Sequence, residues 1–232
     1  MSEIRLIQIP FSHNCIKVRL ALERKGIPYA VENIPPADRR SPRRASGQGL
    51  VPVLLDGGRA VSDSTAILLH LEQRFPEPAL LPRDPALRAE CLVLEDWADE
   101  RFMAMSRRIA YFHVLSRPGL LGRMFFPDLP AWRRALQERL ARRVVVRRFR
   151  ISASRHALDL VAAKGAARLA VDRLAGRAHL LGGGLTLADL ALATMSAPLA
   201  ADAGLAADPA VAALLAWDRS IVGAAIMDAY TG

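Results

Sequence analysis

The chain has little with which to cross-link itself. Two cysteines, Cys15 and Cys91, among 232 residues make no disulfide framework, and five scattered histidines show no metal-ligand spacing. No apolar run reaches the roughly 18 residues of a membrane span. The opening Met1-Ser2-Glu3-Ile4-Arg5 lacks the basic start and apolar block of a secretory signal. Internal repeats and low-complexity segments are missing too. These absences exclude a disulfide-stapled scaffold, a membrane-spanning bundle and a repeat array. They lead to the expectation of a cytoplasmic, reduced, metal-free protein with no membrane partner.

Acidic residues are also in short supply. Lys and Arg number 32 against 23 Asp and Glu, for a formal net charge of +9. Much of the excess falls in one span, where Arg133, Arg134, Arg139, Arg142, Arg143, Arg147, Arg148 and Arg150 face one acid, Glu138. Such a balance raises nucleic acid or an anionic surface as a partner. No series of aromatics interleaves with these arginines, as single-strand binding needs. The span therefore reads as a solvated helix face, and nucleic acid is not expected. Hydrophobic residues make up 52% and charged residues 24%, enough apolar material for a sizeable core. The length suits two modest domains or one large one.

What is present is organised around Leu50–Phe75. Val53-Leu54-Leu55 is a short strand, Asp56-Gly57-Gly58 a tight turn and Ala60-Val61 the returning strand. Ser62-Asp63-Ser64-Thr65 opens a helix with apolar residues at 67, 68, 71 and 75. Pro52 begins a strand that should be buried, where it forfeits a backbone donor. A cis Val51-Pro52 bond would turn the backbone of Val51 outward, toward an extended peptide. Asp63-Ser64 at a helix start offers a carboxylate to an ammonium, and a hydroxyl and N–H groups to a carboxylate. A small peptide with free α-amino and α-carboxyl ends fits both anchors.

The chain opens with a strand, Ile4–Ile9, a break at Pro10–Asn14, a helix over 15–25 closed by Gly26, and a second strand at Tyr29–Ile34. This is a right-handed βαβ unit. Ser12 lies just before that helix, where anions are stabilised. Its hydroxyl is too weakly acidic to attack without a base. It can, however, donate a hydrogen bond to a bound thiolate and favour the ionised thiol below its free pKa of about 8.5. The segment 35–49 is a basic loop or short irregular helix.

Taken together and in this order, these residues resemble the glutathione transferases, well over 4–80 and loosely beyond. Ser12-His13-Asn14-Cys15 followed by Ile16-Lys17-Val18-Arg19 resembles the register of the omega and zeta classes. The resemblance implies a thioredoxin-like α/β amino-terminal domain with a cis-proline, followed by an all-α carboxy-terminal domain. It implies glutathione as co-substrate, with Ser12 at the active position and Cys15 at the resolving position of glutaredoxins. Val51, beside Pro52, would pair with the cysteinyl backbone, and Asp63 and Ser64 would hold the γ-glutamyl end. A basic residue among Arg39, Arg40, Arg43 and Arg44 would hold the glycyl carboxylate, with Gln48 in reach of the peptide edge. The residues do not choose among the four arginines.

Four prolines between Pro76 and Pro85 mark a linker, which puts the domains at 1–78 and 84–232. Leu87, Cys91, Leu94, Ala98, Phe102, Met105, Ile109 and Phe112 form one long amphipathic helix ending at Arg117-Pro118-Gly119. Cys91 on its apolar face is inert core. Arg107, Arg108, Tyr111 and Phe112, with Phe11, are where the resemblance puts the electrophile pocket. Residues 120–130 read as a turn-rich link. Leu136, Leu140, Val144, Val145 and Phe149 read as a second helix, and Arg155–Arg177 as a third. Thr186-Leu187-Ala188-Asp189 is a capping box before a helix that is apolar on all sides, and so buried. A last helix or pair covers 209–217 and 220–230.

The expected activity is conjugation of the glutathione thiolate to a small electrophile, in a homodimer that serves detoxification. A zeta-type isomerase is an alternative, from which His13-Asn14 departs by replacing a Ser-Cys pair. Ser12 in place of cysteine argues against deglutathionylation or dithiol reduction. The other class of function is a non-catalytic scaffold or binding protein acting through the Arg133–Arg150 face.

Overall fold

A computed structural model describes the backbone of residues 3–231 and side chains through residue 228. The chain divides between Arg88 and Ala89 into two units. The first holds β1 (Ile4–Gln8), α1 (His13–Arg24), β2 (Ala30–Asn33), α2 (Arg40–Ser46), β3 (Val53–Asp56), β4 (Arg59–Ser62) and α3 (Ser64–Arg74). The sheet order is β2-β1-β3-β4, with β1 and β2 parallel and the other pairs antiparallel. This is the thioredoxin-like layer.

Local chemistry sets these elements. In the hairpin, Asp56 pairs with Arg59, and both turn residues have positive φ: 56° at Gly57 and 90° at Gly58. A two-residue turn compatible with the twist of the strands needs that geometry. α1 closes on Gly26 at φ 63°, with Ile27 N–H bonded to Leu22 C=O. That is the 6→1 bond of a glycine-terminated helix. α1 starts at His13, two residues before the expected position, because the Ser12 carbonyl already accepts from Ile16. The basic segment holds a regular helix, α2, which ends on Gly47 at φ 79°.

In the sheet, Ile7 pairs with Val53 and Leu6 with Leu54, so the two pairs face opposite sides. Ile7, Ile9, Ile34 and Val53 form one buried cluster, joined by Phe11, Ala45, Val51, Leu55 and Ala60. Val18, Leu22, Ile67, Leu68 and Leu71 are buried on α1 and α3, each worth roughly 1.5–3 kcal/mol on removal from water.

The proline-rich stretch is tied down rather than free. Glu72 accepts from the N–H groups of Leu80 and Leu81 at 3.1–3.2 Å, and both leucines are buried. Lys25, fully buried at its side chain, meets Glu72 at 2.5 Å and donates to the carbonyls of Phe75 and Pro78. The division into units falls beyond this stretch for that reason. The Glu77-Pro78 bond in it is cis.

The second unit is all-helical: α4 (Pro85–Asp96, which begins in the first unit), a π-helical stretch (Trp97–Phe102), α5 (Met103–Ser116), α6 (Leu120–Phe125), α7 (Ala131–Phe149), α8 (Ala153–Leu174), α9 (Leu187–Ser196), a 3₁₀ stretch (Ala197–Ala201), α10 (Ala203–Ala206), α11 (Pro209–Val222) and α12 (Ala224–Thr231). The long amphipathic helix is thus interrupted by a π turn, which keeps Ala98, Asp99 and Phe102 buried. Residues 120–125 are helical instead of a plain link, since Leu121 buries with Leu115 and Val145. α11 runs on to Val222 and stops at Gly223, φ 84°.

Every residue of α9 is buried. The Thr186–Asp189 capping box is formed, and Asp189 also accepts from Leu180 N–H at 2.8 Å. On α7, only Val145 of the expected apolar face is buried; Leu136, Leu140 and Val144 are 55%, 51% and 65% exposed. Among the described residues, no helix is long and apolar enough to cross a membrane.

Candidate functional site

In the first unit, Ser12 is the N-cap of α1 at φ −75°, ψ 125°, but its side chain does not cap the helix. The hydroxyl borders the Cys15 thiol instead. Burial pushes that thiol up to about 11, offset in part by the Ile9 backbone, the Ser12 hydroxyl and the charges of Arg19 and Arg39. Cys15 is fully buried and remains a thiol at neutral pH, so it does not serve as a thiolate here. The half-buried hydroxyl of Ser12 is the chemically available group of the pair. Beside it, the side-chain oxygen of Asn14 is buried with no hydrogen-bond partner. That acceptor was not anticipated from sequence, because nothing local distinguishes a capping-region Asn from a solvated one.

The Val51-Pro52 peptide is cis. Pairing of β3 with β1 begins at Val53, which leaves Val51 outside the described ladder. Asp63 caps α3, its Oδ1 accepting from Ala66 N–H at 3.0 Å. It does so at φ 81°, ψ 131°, a conformation that costs a non-glycine residue of order 1–3 kcal/mol. Ser64 is buried immediately after it. Gln48 donates to Ser62 Oγ at 2.6 Å, which brings it to the end of β4 beside Asp63.

The four arginines line one open depression of about 500 Å³ together with Ala37 and Asp38. They are not equivalent. Arg39 is half-buried and its charge reaches Cys15, whereas Arg40, Arg43 and Arg44 are exposed. Arg39 also closes over Gly49, where an added Cβ would lie 3.2 Å from the Arg39 Cβ. Phe11 packs on the Ile7–Val53 cluster.

In the second unit, the four pocket candidates on α5 split between two neighbours. Arg107 lies over the Phe149 ring at 5.3 Å, and Tyr111 stacks on the same ring at 5.1 Å. Burial lowers the Arg107 pKa, with Tyr111 opposing. Arg108 instead makes a two-pronged pair with Asp159 of α8, both contacts 2.6 Å. Phe112 stacks on His156, also of α8. An apolar cavity of about 220 Å³, lined by Leu94, Trp97, Leu169, Ala170, Arg173, Leu180 and Leu192, contains none of the four. Cys91 is fully buried, and burial raises its thiol.

A profile described as "Glutathione S-transferase, N-terminal domain" matches residues 6–79. The amino-terminal domain belongs to the glutathione S-transferase family. Glutathione S-transferase Z1 of Arabidopsis thaliana is 39% identical over 77 residues, which cover 32% of this chain and 35% of that protein. A maleylacetoacetate isomerase of Pseudomonas aeruginosa is 38% identical over 87 residues, 34% of this chain and 40% of that protein. The chain thus spans about a third to two fifths of the length of these curated relatives. The fold extends further. A theta class glutathione S-transferase from Xanthomonas axonopodis pv. citri, solved with glutathione bound, superposes with a TM-score of 0.65 at 21% identity, covering 97% of this chain and all of that one. The transferase fold therefore continues through the helical unit, where sequence identity has faded.

Proposed function

We propose that the protein binds glutathione in its amino-terminal unit and transfers the glutathione sulfur to a small electrophile. One observation carries this reading: the Ser12 hydroxyl stands at the start of α1 without capping it, in the same unit as the cis Val51-Pro52 peptide and the Asp63-Ser64 helix start. In this reading Val51 pairs with the cysteinyl backbone, Asp63 and Ser64 hold the γ-glutamyl end, and Arg39 is the arginine for the glycyl carboxylate. Gln48 and the remaining arginines border the peptide edge. Ser12 donates to the thiolate, and the α1 dipole adds to its stabilisation. The electrophile-binding candidates in the helical unit are Arg107 and Tyr111, which share Phe149. The working form is a cytoplasmic homodimer, for which light scattering should return twice the chain mass.

Ser12→Ala tests the chemistry. Glutathione should still bind by calorimetry, the bound thiol should ionise at higher pH, and conjugation to an aryl halide should slow at neutral pH. A lost hydrogen bond to a charged group is worth about 1.5–3 kcal/mol, or roughly 10- to 150-fold in rate. Equal rates from pH 6 to 8 would remove Ser12 from the mechanism.

The zeta-class and maleylacetoacetate isomerase relatives support a second reading, glutathione-dependent cis–trans isomerisation. The same bound thiolate would add to a double bond and leave after rotation. Turnover of a maleyl-type substrate without net consumption of glutathione would select it over conjugation.

A further inference from the structure

The helical unit gathers a second set of chemistry-bearing side chains, far from one another in sequence. His113 lies in the last turn of α5, His156 in the first turn of α8, and Asp202 directly before α10. Their ligand atoms all fall within 4.8 Å of one another. His113 Nε2 is 3.0 Å from Asp202 Oδ2, and His156 Nε2 is 3.5 Å from the same oxygen. The three side chains are 29%, 13% and 13% exposed, so the cluster is sheltered but reachable.

His156 and Asp202 are each held by a part of themselves that the cluster does not use. The His156 ring lies flat on Phe112, with centroids 3.9 Å apart and planes 6° apart. Its Nδ1 is buried with no hydrogen-bond partner, which leaves Nε2 as the working nitrogen. The His113 ring stands at 75° to it, centroids 5.5 Å apart. Asp202 is oriented through its other oxygen, which accepts from Leu205 N–H at 2.8 Å. The stacked His156 ring and the hydrogen-bonded Asp202 carboxylate are thus preorganised.

Hydrogen bonding alone leaves one contact weak: Asp202 Oδ2 can accept from both imidazoles, but His156 Nε2 stands at 3.5 Å, the outer limit of a hydrogen bond. An ion uses it well. Metal–ligand bonds near 2.0–2.2 Å in tetrahedral array put donors about 3.4 Å apart, within the spread seen here. Two imidazoles and one carboxylate form a donor set for zinc and its neighbours.

We propose that His113, His156 and Asp202 bind one divalent first-row transition-metal ion, Zn²⁺ being the probe, with water completing the coordination. The ion would clamp α5, α8 and the start of α10 together. The site is contained in the helical unit and takes no part in glutathione chemistry.

The test uses the untagged full chain, stripped with EDTA, desalted and kept free of glutathione, so that its outcome is independent of the transferase reading. Calorimetric titration with Zn²⁺ should give one saturable site per chain, and the thermal midpoint should rise with Zn²⁺ concentration. Co²⁺ should produce visible ligand-field bands, and Zn²⁺ should protect two histidines from acylation by diethyl pyrocarbonate. These two measurements need no variant. His113→Gln and Asp202→Asn, the latter keeping the helix-cap acceptor, should each weaken Zn²⁺ at least about tenfold. Absence of saturable uptake by the parent would reduce the cluster to a hydrogen-bonded triad and overturn the proposal. So would a folded His113→Gln/Asp202→Asn double variant that binds Zn²⁺ as tightly as the parent.

Discussion

The two units treat their charged and polar groups differently. In the amino-terminal unit, buried charge is a framework: Lys25 and Glu72 join α1, α3 and the proline-rich stretch, and Asp56 joins the hairpin to α3 through His70 and Arg74. In the same unit the Asn14 side-chain oxygen is buried without a partner, and Asp63 caps α3 from a strained backbone conformation. In the helical unit, acids are consumed internally. Asp159 is taken by Arg108, Asp189 by backbone N–H groups, and Asp218, buried among helices, by the Ser196 hydroxyl. In the first unit one buried ion pair ties an irregular stretch to two helices through backbone N–H and carbonyl groups, whereas in the second the acids join helix to helix, Arg108 of α5 to Asp159 of α8 and Ser196 of α9 to Asp218 of α11.

Glu72→Ala should break that contrast most severely. It leaves Lys25 charged in a dry site and orphans the N–H groups of Leu80 and Leu81. Removing one partner of a buried pair costs about 3–5 kcal/mol. Denaturant unfolding should show that loss, and a change under about 1 kcal/mol would mean that water reaches Lys25.

Asp218 supplies the pH-dependent side of the comparison. It is fully buried, and burial raises its pKa well above the usual carboxylate range, with only Ser196 opposing. Ser196 Oγ lies 2.8 Å from both carboxyl oxygens and 2.6 Å from the Leu192 carbonyl. A hydroxyl has one proton; given to Leu192, it leaves Ser196 to accept from a protonated Asp218. A raised folded-state pKa stabilises the protein fully below the unfolded value and loses that stabilisation as pH rises toward the folded value. Asp218→Asn should therefore gain stability relative to the parent as pH rises from about 4. Parallel pH profiles for the two proteins would show that Asp218 is ionised in the fold.

A smaller effect concerns the strained Asp63 cap of the first unit. Asp63→Ala should cost about 1 kcal/mol as a lost cap and also weaken glutathione binding. Asp63→Asn keeps a capping oxygen and tolerates positive φ, so it should restore stability while binding stays weak. Calorimetry on both variants separates the cap from the anchor; full binding by Asp63→Asn would remove the charge from the ligand site.

The sequence alone determined features that residues within a few positions of one another decide. The Asp56–Arg59 hairpin follows from two glycines that accept positive φ, the end of α1 from Gly26, and the start of α9 from Thr186 and Asp189. The order of the amino-terminal motifs carried the fold, because Val51-Pro52 and Asp63-Ser64 sit at fixed places in one compact unit. Only the tertiary structure decided the rest. That Lys25 meets Glu72, that Arg108 turns to Asp159 while Arg107 turns to Phe149, and that His113, His156 and Asp202 meet at all, depend on contacts across roughly 40 to 90 residues. No spacing encodes such partners. A histidine reads the same in sequence whether its helix face meets solvent, a ring or a carboxylate, and which it meets is settled only when the helices pack.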